Sequence, residues 1–330
     1  MSILVLGGAG YIGSHAVYQL INQQNDVVVV DNLQTGHREA IHPEATFYKG
    51  DIRNIVFLRY VFKKESIDAV IHFAANSLVG ESMKKPLAYF DNNVYGTQVI
   101  LQAMTEFNVK HIVFSSTAAV YGNPAQVPIA ETSDPNPTNT YGETKYIVEK
   151  MMYWMNQAHD IKYVSLRYFN VAGALHSGEI GEDHRPETHL IPIILQTALG
   201  QHDHITIFGE DYDTPDGSPI RDYIHVDDLI QAHLQALDYL QHGGASDVFN
   251  LGSSEGFSVK EMIKSARKVT GAPILVESGP RRDGDPSVLI ASSDKAQKVL
   301  GWHPSRISIE TIIKDAWNWH RTHPDGYGRE

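Results

Sequence analysis

Apolar residues fall along this chain in short unbroken blocks separated by stretches of helical period. Ile3-Leu4-Val5-Leu6, Val27 to Val30, Ala69-Val70-Ile71-His72-Phe73-Ala74-Ala75, Ile112-Val113-Phe114 and Leu166-Arg167-Tyr168-Phe169-Asn170-Val171 are too short for helices and too uniformly apolar for strands with one wet face. Such runs read as parallel strands buried on both sides. Ile12, Ala16, Val17, Leu20 and Ile21 recur at helical spacing between the first two, completing a βαβ unit. A further strand is expected at Thr46 to Lys49, and long helices from Asn92 to Met104 and from Tyr141 to Trp154. The expected fold is α/β, a doubly wound parallel sheet.

The rhythm becomes irregular after Gly173. A helix from Leu190 to Leu199, a short strand Ile205-Thr206-Ile207-Phe208, a helix on Val226, Leu229, Ile230, His233, Leu234 and Leu237, a strand Val248 to Leu251 and a helix capped by Ser258 and Glu261 follow. Residues 1–173 are therefore expected as one domain. Residues 174–330 form mainly a smaller mixed α/β lobe, with some segments returning to the first domain. His233 is expected to face the core.

The first strand runs into Gly7-Gly8-Ala9-Gly10-Tyr11-Ile12-Gly13. In a strand–turn–helix setting Gly7 takes the tight turn, Gly10 lets a pyrophosphate approach, and Gly13 lets helix and strand pack, so phosphate meets exposed N–H groups. Asp31 ends the second strand 18 residues past Gly13, where an acid bonds the adenosine ribose and repels a 2′-phosphate. This makes residues 1–173 a Rossmann domain for NAD rather than NADP. A strand-ending turn with Asn32 is the competing role for Asp31. Asp51 has two equal readings, adenine contact or N-cap of the segment from Asn54 to Phe62. Ala74 and Ala75 are small where the fourth strand meets the sheet's carboxyl edge, and Ser115-Ser116-Thr117 follows the fifth strand toward the same crevice. Thr117 there is a hydrogen-bonding candidate or an ordinary turn residue.

Gly122 to Thr140 carries four prolines, and Tyr141-Gly142-Glu143-Thr144-Lys145 opens a helix directly after it. Tyr and Lys four residues apart share a helix face. Tyr60/Lys64 and Tyr146/Lys150 have the same spacing, so position decides. Tyr60 lies in an apolar stretch and is expected in the core, while Tyr146 is rotated by about 140° from Tyr141. Arg281-Arg282 is a basic turn, read either as solvated or as a ligand site.

The 330 residues carry a net charge of −12 and no cysteine. An acidic chain is a poor nucleic-acid binder, and disulfides and cysteine-ligated metal are excluded. No His-x-x-x-His with a helical Glu occurs among 17 histidines, so no metal site is expected. No run reaches membrane-spanning length and the first residues lead straight into a strand. A cytoplasmic protein without a membrane partner is expected.

Gly7/Gly10/Gly13, Asp31, Thr117 and Tyr141/Lys145 together resemble the extended short-chain dehydrogenase/reductase superfamily. Asp91-Asn92-Asn93-Val94, Tyr168-Phe169-Asn170, Arg221-Asp222-Tyr223-Ile224-His225-Val226, Pro280-Arg281-Arg282-Asp283-Gly284-Asp285 and His323-Pro324-Asp325-Gly326-Tyr327 narrow the resemblance to the UDP-glucose 4-epimerase family. That resemblance implies an NAD-dependent isomerase of galactose metabolism, interconverting UDP-galactose and UDP-glucose, and a homodimer paired through the helices around Asn92 to Met104 and Tyr141 to Trp154. Tyr141 would be the base, Lys145 would hold the nicotinamide ribose and Thr117 the sugar hydroxyl. Tyr11, Ile12, Asp31, Asn32, Asp51, Ile52, Phe73, Ala74, Ala75, Asn92 and Phe169 would line the NAD site. Asn170, His189, Leu190, Thr206, Ile207, Phe208, Arg221, Arg282, Asp285 and Leu289 would hold the UDP-sugar, Leu289 acting as a size gate. The chain departs from the family's well-studied form at Ser77, where that form has Lys, and at His189, where it has Asn. Rival readings are a UDP-N-acetylglucosamine or bifunctional epimerase, a nucleotide-sugar 4,6-dehydratase and a non-catalytic NAD sensor. The dehydratase needs Asp-Glu after the Thr, and here Ala118-Ala119 follows.

Overall fold

Alternation within single strands sorts the core of the larger unit into two halves. The computed structural model describes residues 1–282 and 286–328. Strand β1 (Ser2–Leu6) sends Ile3 and Val5 to one face of the sheet, where helices α1 (Tyr11–Asn22) and α8 (Val226–Gln241) cover them. Leu4 and Leu6 point to the other face, under α2 (Ile55–Glu65), α5 (Gly96–Glu106) and α6 (Thr140–His159). Each fully buried Leu, Ile or Val contributes roughly 1.5–3 kcal/mol, which is why the strands carry almost no polar position.

The other strands of this sheet are β2 (Asp26–Asp31), β3 (Thr46–Lys49), β4 (Ala69–His72), β5 (His111–Ser115), β6 (Lys162–Tyr168) and β11 (Asp247–Leu251). They lie in the order β11-β6-β5-β4-β1-β2-β3, every neighbouring pair parallel. The order reverses between β1 and β4, and a crevice opens there at the carboxyl ends. The doubly wound parallel sheet expected from the apolar blocks is thus present, closed at one edge by a strand from residue 247 onward.

The smaller unit has its own core, in which α7 (Leu190–Ala198), α9 (Val259–Thr270) and α11 (Ile309–Thr322) pack with β8 (Ile205–Phe208). Short strands complete it: β7 (Asn170–Ala172) with β10 (Tyr223–His225), β9 (Ile220–Arg221) between β12 (Phe257–Ser258) and β14 (Val288–Leu289), and β13 (Val276–Gly279) beside β8. Helices α3 (Val79–Ser82), α4 (Pro86–Tyr89) and α10 (Asp294–Leu300) fill the connections.

Local details correct the sequence expectations. The sixth strand breaks at Phe169, because the chain leaves β6 to pair with β10, and Phe169 is left at the crevice. The helix expected from Asn92 is entered earlier, at Pro86, and passes through a π-helical segment Phe90–Tyr95 that buries Asn92 and Asn93. Tyr60 is 54% exposed rather than buried; its ring meets Tyr48 edge-on on the outer side of α2. His233 is buried as expected, bonded to Leu229 O, and Ser258 and Glu261 form the expected capping box.

Candidate active site

A cleft of about 1030 Å³ lies at the reversal of strand order, between the two units. Its floor begins with the glycine turn. Gly7 has φ +80°, and a Cβ on Gly13 would stand 2.1 Å from Gly7 O, so any larger side chain would push α1 off β1. The α1 N-cap is Gly10, no side chain caps it, and the first turn holds no acidic residue. That bare, positively polarised helix end fits a diphosphate. Asp31 Oδ2 accepts from Ala9 N at 3.0 Å and Oδ1 from Leu33 N at 2.8 Å. The carboxylate therefore braces the glycine turn and its own turn, the turn role read from sequence, and it also lines the cleft. Burial raises its pKa, opposed by those amides. These residues fit the adenosine diphosphate half of a dinucleotide.

Tyr11, Ile12, Asn32, Ile52, Phe73, Ala74, Ala75, Asn92 and Phe169 line the same cleft. The Asp51 carboxylate is instead turned to Arg53, with Nη2 at 2.6 Å, and the N-cap of α2 is Asn54, accepting from Phe57 N at 3.1 Å. The capping role for Asp51 is thereby overturned.

The chemistry-bearing cluster stands where α6 meets the turn after β5. Gly142 permits it: a Cβ there would lie 2.5 Å from Ala119 O, so glycine lets the helix abut the Thr117–Ala119 turn. Asn139 caps α6 by accepting from Gly142 N at 2.9 Å, and Ser82 Oγ accepts from Tyr141 N at 3.1 Å. The Tyr141 hydroxyl is thereby brought within hydrogen-bonding reach of Thr117. Burial pushes Tyr141 up to about 12, against that hydrogen bond. Lys145 is buried, donates to Ser115 O at 2.7 Å, and is lowered to about 7 by burial, opposed by Glu149.

Glu149 and Arg167, both 5% exposed in their side chains, form a two-pronged ion pair at 2.9 and 2.5 Å, and Ser116 Oγ donates to Glu149 at 2.5 Å. Sequence reasoning missed this pair. Its signal was an arginine in the middle of an apolar strand and a glutamate one α6 turn past Lys145.

On the far wall, Asn170, His189, Leu190, Arg221, Arg282 and Leu289 line the cleft. Arg282 lies over the Phe208 ring at 4.2 Å, whereas Arg281 is turned away to Asp211 and the Tyr212 ring. The basic turn thus divides, one arginine toward the cleft and one toward the outer surface. Thr206, Ile207 and Phe208, expected to hold the UDP-sugar, do not line the cleft: they lie on β8, with Ile207 buried in the small unit's core and Phe208 meeting the cleft only through the Arg282 guanidinium over its ring. Asp285 lies outside the described residues.

The sequence from residue 3 to 252 matches the model of the NAD dependent epimerase/dehydratase family. A UDP-glucose 4-epimerase of Lacticaseibacillus casei is 58% identical over 99% of both chains. A solved UDP-glucose 4-epimerase superposes with a TM-score of 0.99 at 58% identity over the whole of both chains. A UDP-glucose 4-epimerase from Bifidobacterium longum in complex with NAD+ and UDP gives 0.93 at 39% identity, covering 99% of this chain and 100% of its own.

Proposed function

The chain belongs to the NAD dependent epimerase/dehydratase family, and from that premise we propose that Tyr141 moves the proton of the sugar 4-hydroxyl in its reaction. The chain is an NAD-dependent UDP-glucose 4-epimerase, interconverting UDP-galactose and UDP-glucose. The observation that carries the residue assignment is the meeting of Tyr141, Thr117 and Lys145 at the reversal of strand order, beside the glycine turn.

Bound NAD would supply the hydride acceptor at the sugar carbon and return the hydride afterwards. Gly10 and Gly13 would leave the α1 amides open to its diphosphate, and Asp31 would hold the adenosine ribose. A tyrosine held at about 12 is protonated at neutral pH, so it works as a base only with positive charge nearby. Lys145 is the protein's own source of that charge, and its bond to Ser115 O aims it along the Tyr141 side of α6. Thr117 would hold the sugar hydroxyl against Tyr141. Arg221 and Arg282 would hold the diphosphate of the UDP-sugar, Asn170, His189 and Leu190 its uridine side. Leu289 would bound the sugar. Phe208 would support Arg282 from behind.

Ala118 and Ala119 line the cleft where a dehydratase needs an acid and a base, which favours epimerisation. UDP-galactose supplied without added nicotinamide should become UDP-glucose with no net change in cofactor oxidation state. Accumulation of a 4-keto-6-deoxy sugar would overturn the reading.

A homodimer belongs to the same proposal. Leu87 (81% exposed), Tyr95 on the π-helical segment, and Tyr153 and Trp154 on α6 (48% and 67%) are large apolar side chains left exposed on helical stretches that pack together, and exposed apolar surface of this kind is what an association site would cover. The division of labour is likewise proposed: residues 1–173 for NAD, residues 174–330 mainly for the UDP-sugar, with α8 and β11 returning to the first unit. No helix among the described residues is long and apolar enough to cross a membrane. A cytoplasmic location is proposed, since a chain without cysteine fits a reducing compartment.

A further inference from the structure

The loop between β7 and α7 gathers four donor side chains that have no part in the proton or hydride transfer; Glu182, His184 and His189 among them line the cleft, and His189 is the one that would hold the uridine side of the UDP-sugar. Glu182, His184, Glu187 and His189 each offer one ligand atom, and these atoms all lie within 4.8 Å of one another. Among the described residues this is the one such group. It is built from the inside outward. Glu182 is 4% exposed, and its backbone carbonyl accepts from Trp319 Nε1 at 3.2 Å, which anchors the loop to α11. His189 Nδ1 approaches Glu182 Oε1 at 2.5 Å and His184 Nδ1 approaches the same oxygen at 3.2 Å. Glu187 Oε1 is fixed by the amides of Thr188 and His189 at 2.7 and 2.8 Å, with its other oxygen 3.7 Å from His184 Nδ1.

Two features separate this arrangement from a surface charge cluster. His184 Nδ1 is buried and makes no hydrogen bond of good geometry, although it faces two carboxylates. Both imidazoles also turn the same ring nitrogen inward, leaving four donors around one point. His189, 52% exposed in its side chain, leaves a route in from solvent.

We propose that this group is a binding site for one divalent first-row transition-metal ion, with Zn²⁺ the preferred occupant. Two imidazole nitrogens and two carboxylate oxygens are a borderline donor set that suits zinc and its neighbours; Mg²⁺ and Ca²⁺ take all-oxygen shells. Two carboxylates with neutral imidazoles carry a charge of −2, which the ion balances. Glu182, His184, Glu187 and His189 sit within eight residues that lead directly to Leu190, the first residue of α7. The ion therefore ties down the segment that delivers His189 and Leu190 to the cleft, a structural role away from the reacting carbon. The E-x-H-x-x-E-x-H spacing lies on a loop, which is why a search for helical metal motifs passes over it.

The test uses the full chain stripped with a chelator and then titrated with Zn²⁺. One equivalent per chain should bind saturably and raise the unfolding temperature, and His184→Gln should weaken binding at least tenfold, as loss of one of four ligands requires. Co²⁺ added to the stripped native chain should give the intense visible bands of a four-coordinate nitrogen–oxygen site, a readout that stands if the variant fails to fold. No saturable zinc binding, an unchanged affinity in a folded His184→Gln variant, or a weak six-coordinate cobalt spectrum would each overturn the proposal and leave a histidine–carboxylate ion-pair cluster.

Discussion

The Lys145 ammonium lies 5.8 Å from the centre of the Tyr141 ring, one turn further along α6 and on the same face. Tyr146 points elsewhere: it packs against the cluster of Ala118, Val120, Tyr121 and Ile129, with Lys150 4.3 Å from the centre of its ring. Two Tyr–Lys pairs on one helix are thus separated by its rotation alone. Tyr141→Phe should lower turnover by about 10²–10⁴, the usual contribution of a positioned proton-transfer group, while NAD stays bound. Tyr146→Phe should keep turnover within a few-fold. Steady-state rates and the cofactor content of both variants check the pair, and a large loss confined to Tyr146→Phe would reverse the assignment.

Burial of Lys145 has a consequence for stability that needs no substrate. Its pKa falls from 10.5 to about 7 on folding, with burial the main cause. Between those values the unfolded chain holds a proton that the folded chain has released, so the stability of cofactor-free protein rises with pH across that window. Below pH 7 both states are protonated and the full penalty applies. Lys145→Met should flatten the rise between pH 7 and 9.5, read as the difference between the two unfolding curves; parallel curves would show that the lysine is not desolvated in solution.

Glu149 and Arg167 should behave as a buried unit. Glu149→Gln leaves a guanidinium that is 5% exposed without its carboxylate, and breaking such a pair typically costs about 3–5 kcal/mol. Glu149→Leu with Arg167→Met should recover most of that loss, because two apolar side chains leave no buried charge. Urea unfolding of the single and double variants makes the comparison, and an additive double variant would refute the coupling.

Much of this architecture was legible because parallel strands buried on both faces have no polar face to confuse the pattern. The glycine turn, Asp31 and Tyr141/Lys145 were legible for a related reason: their spacing is set by local geometry within one βαβ unit or one helix. Groups assembled across the fold were not. Glu149 meets Arg167 because α6 packs beside β6, and Ser82 reaches Tyr141 N across 59 residues. Asp51 was ambiguous because a carboxylate at a strand end before a helix serves as an adenine contact or as a cap, and neither reading foresaw that Arg53 would take the carboxylate while Asn54 caps the helix. Tyr60 was misplaced because its apolar neighbours Leu58 and Val61 face the core while it lies on the opposite side of α2.

Gly13→Ala should empty the cofactor site. The added methyl would stand 2.1 Å from Gly7 O and 2.9 Å from Gly8 Cα, and neither backbone atom can yield without opening the turn. The purified variant should carry little NAD by absorbance after acid release. Retention of one NAD per chain would show that α1 is not held as closely to β1 as these distances state.

Leu289 offers the sharpest test of sugar choice. Its carbonyl accepts from Asp222 N at 3.0 Å, which fixes β14 beside β9, and its side chain packs against the Ala118–Ile129 cluster at the cleft wall. That support is the ground for expecting it to limit room for an N-acetyl group. UDP-glucose and UDP-galactose should turn over well and their N-acetylated counterparts poorly. Leu289→Ala should raise the relative rate with UDP-N-acetylglucosamine by about tenfold or more, since even one methylene at a pocket wall is worth roughly 1–3 kcal/mol. It should leave UDP-galactose turnover within a few-fold, because the wall loses volume and no polar contact. One assay of four UDP-sugars on both proteins decides it. Equal turnover of the two sugar pairs by the unaltered chain would mean that Leu289 does not bound the site.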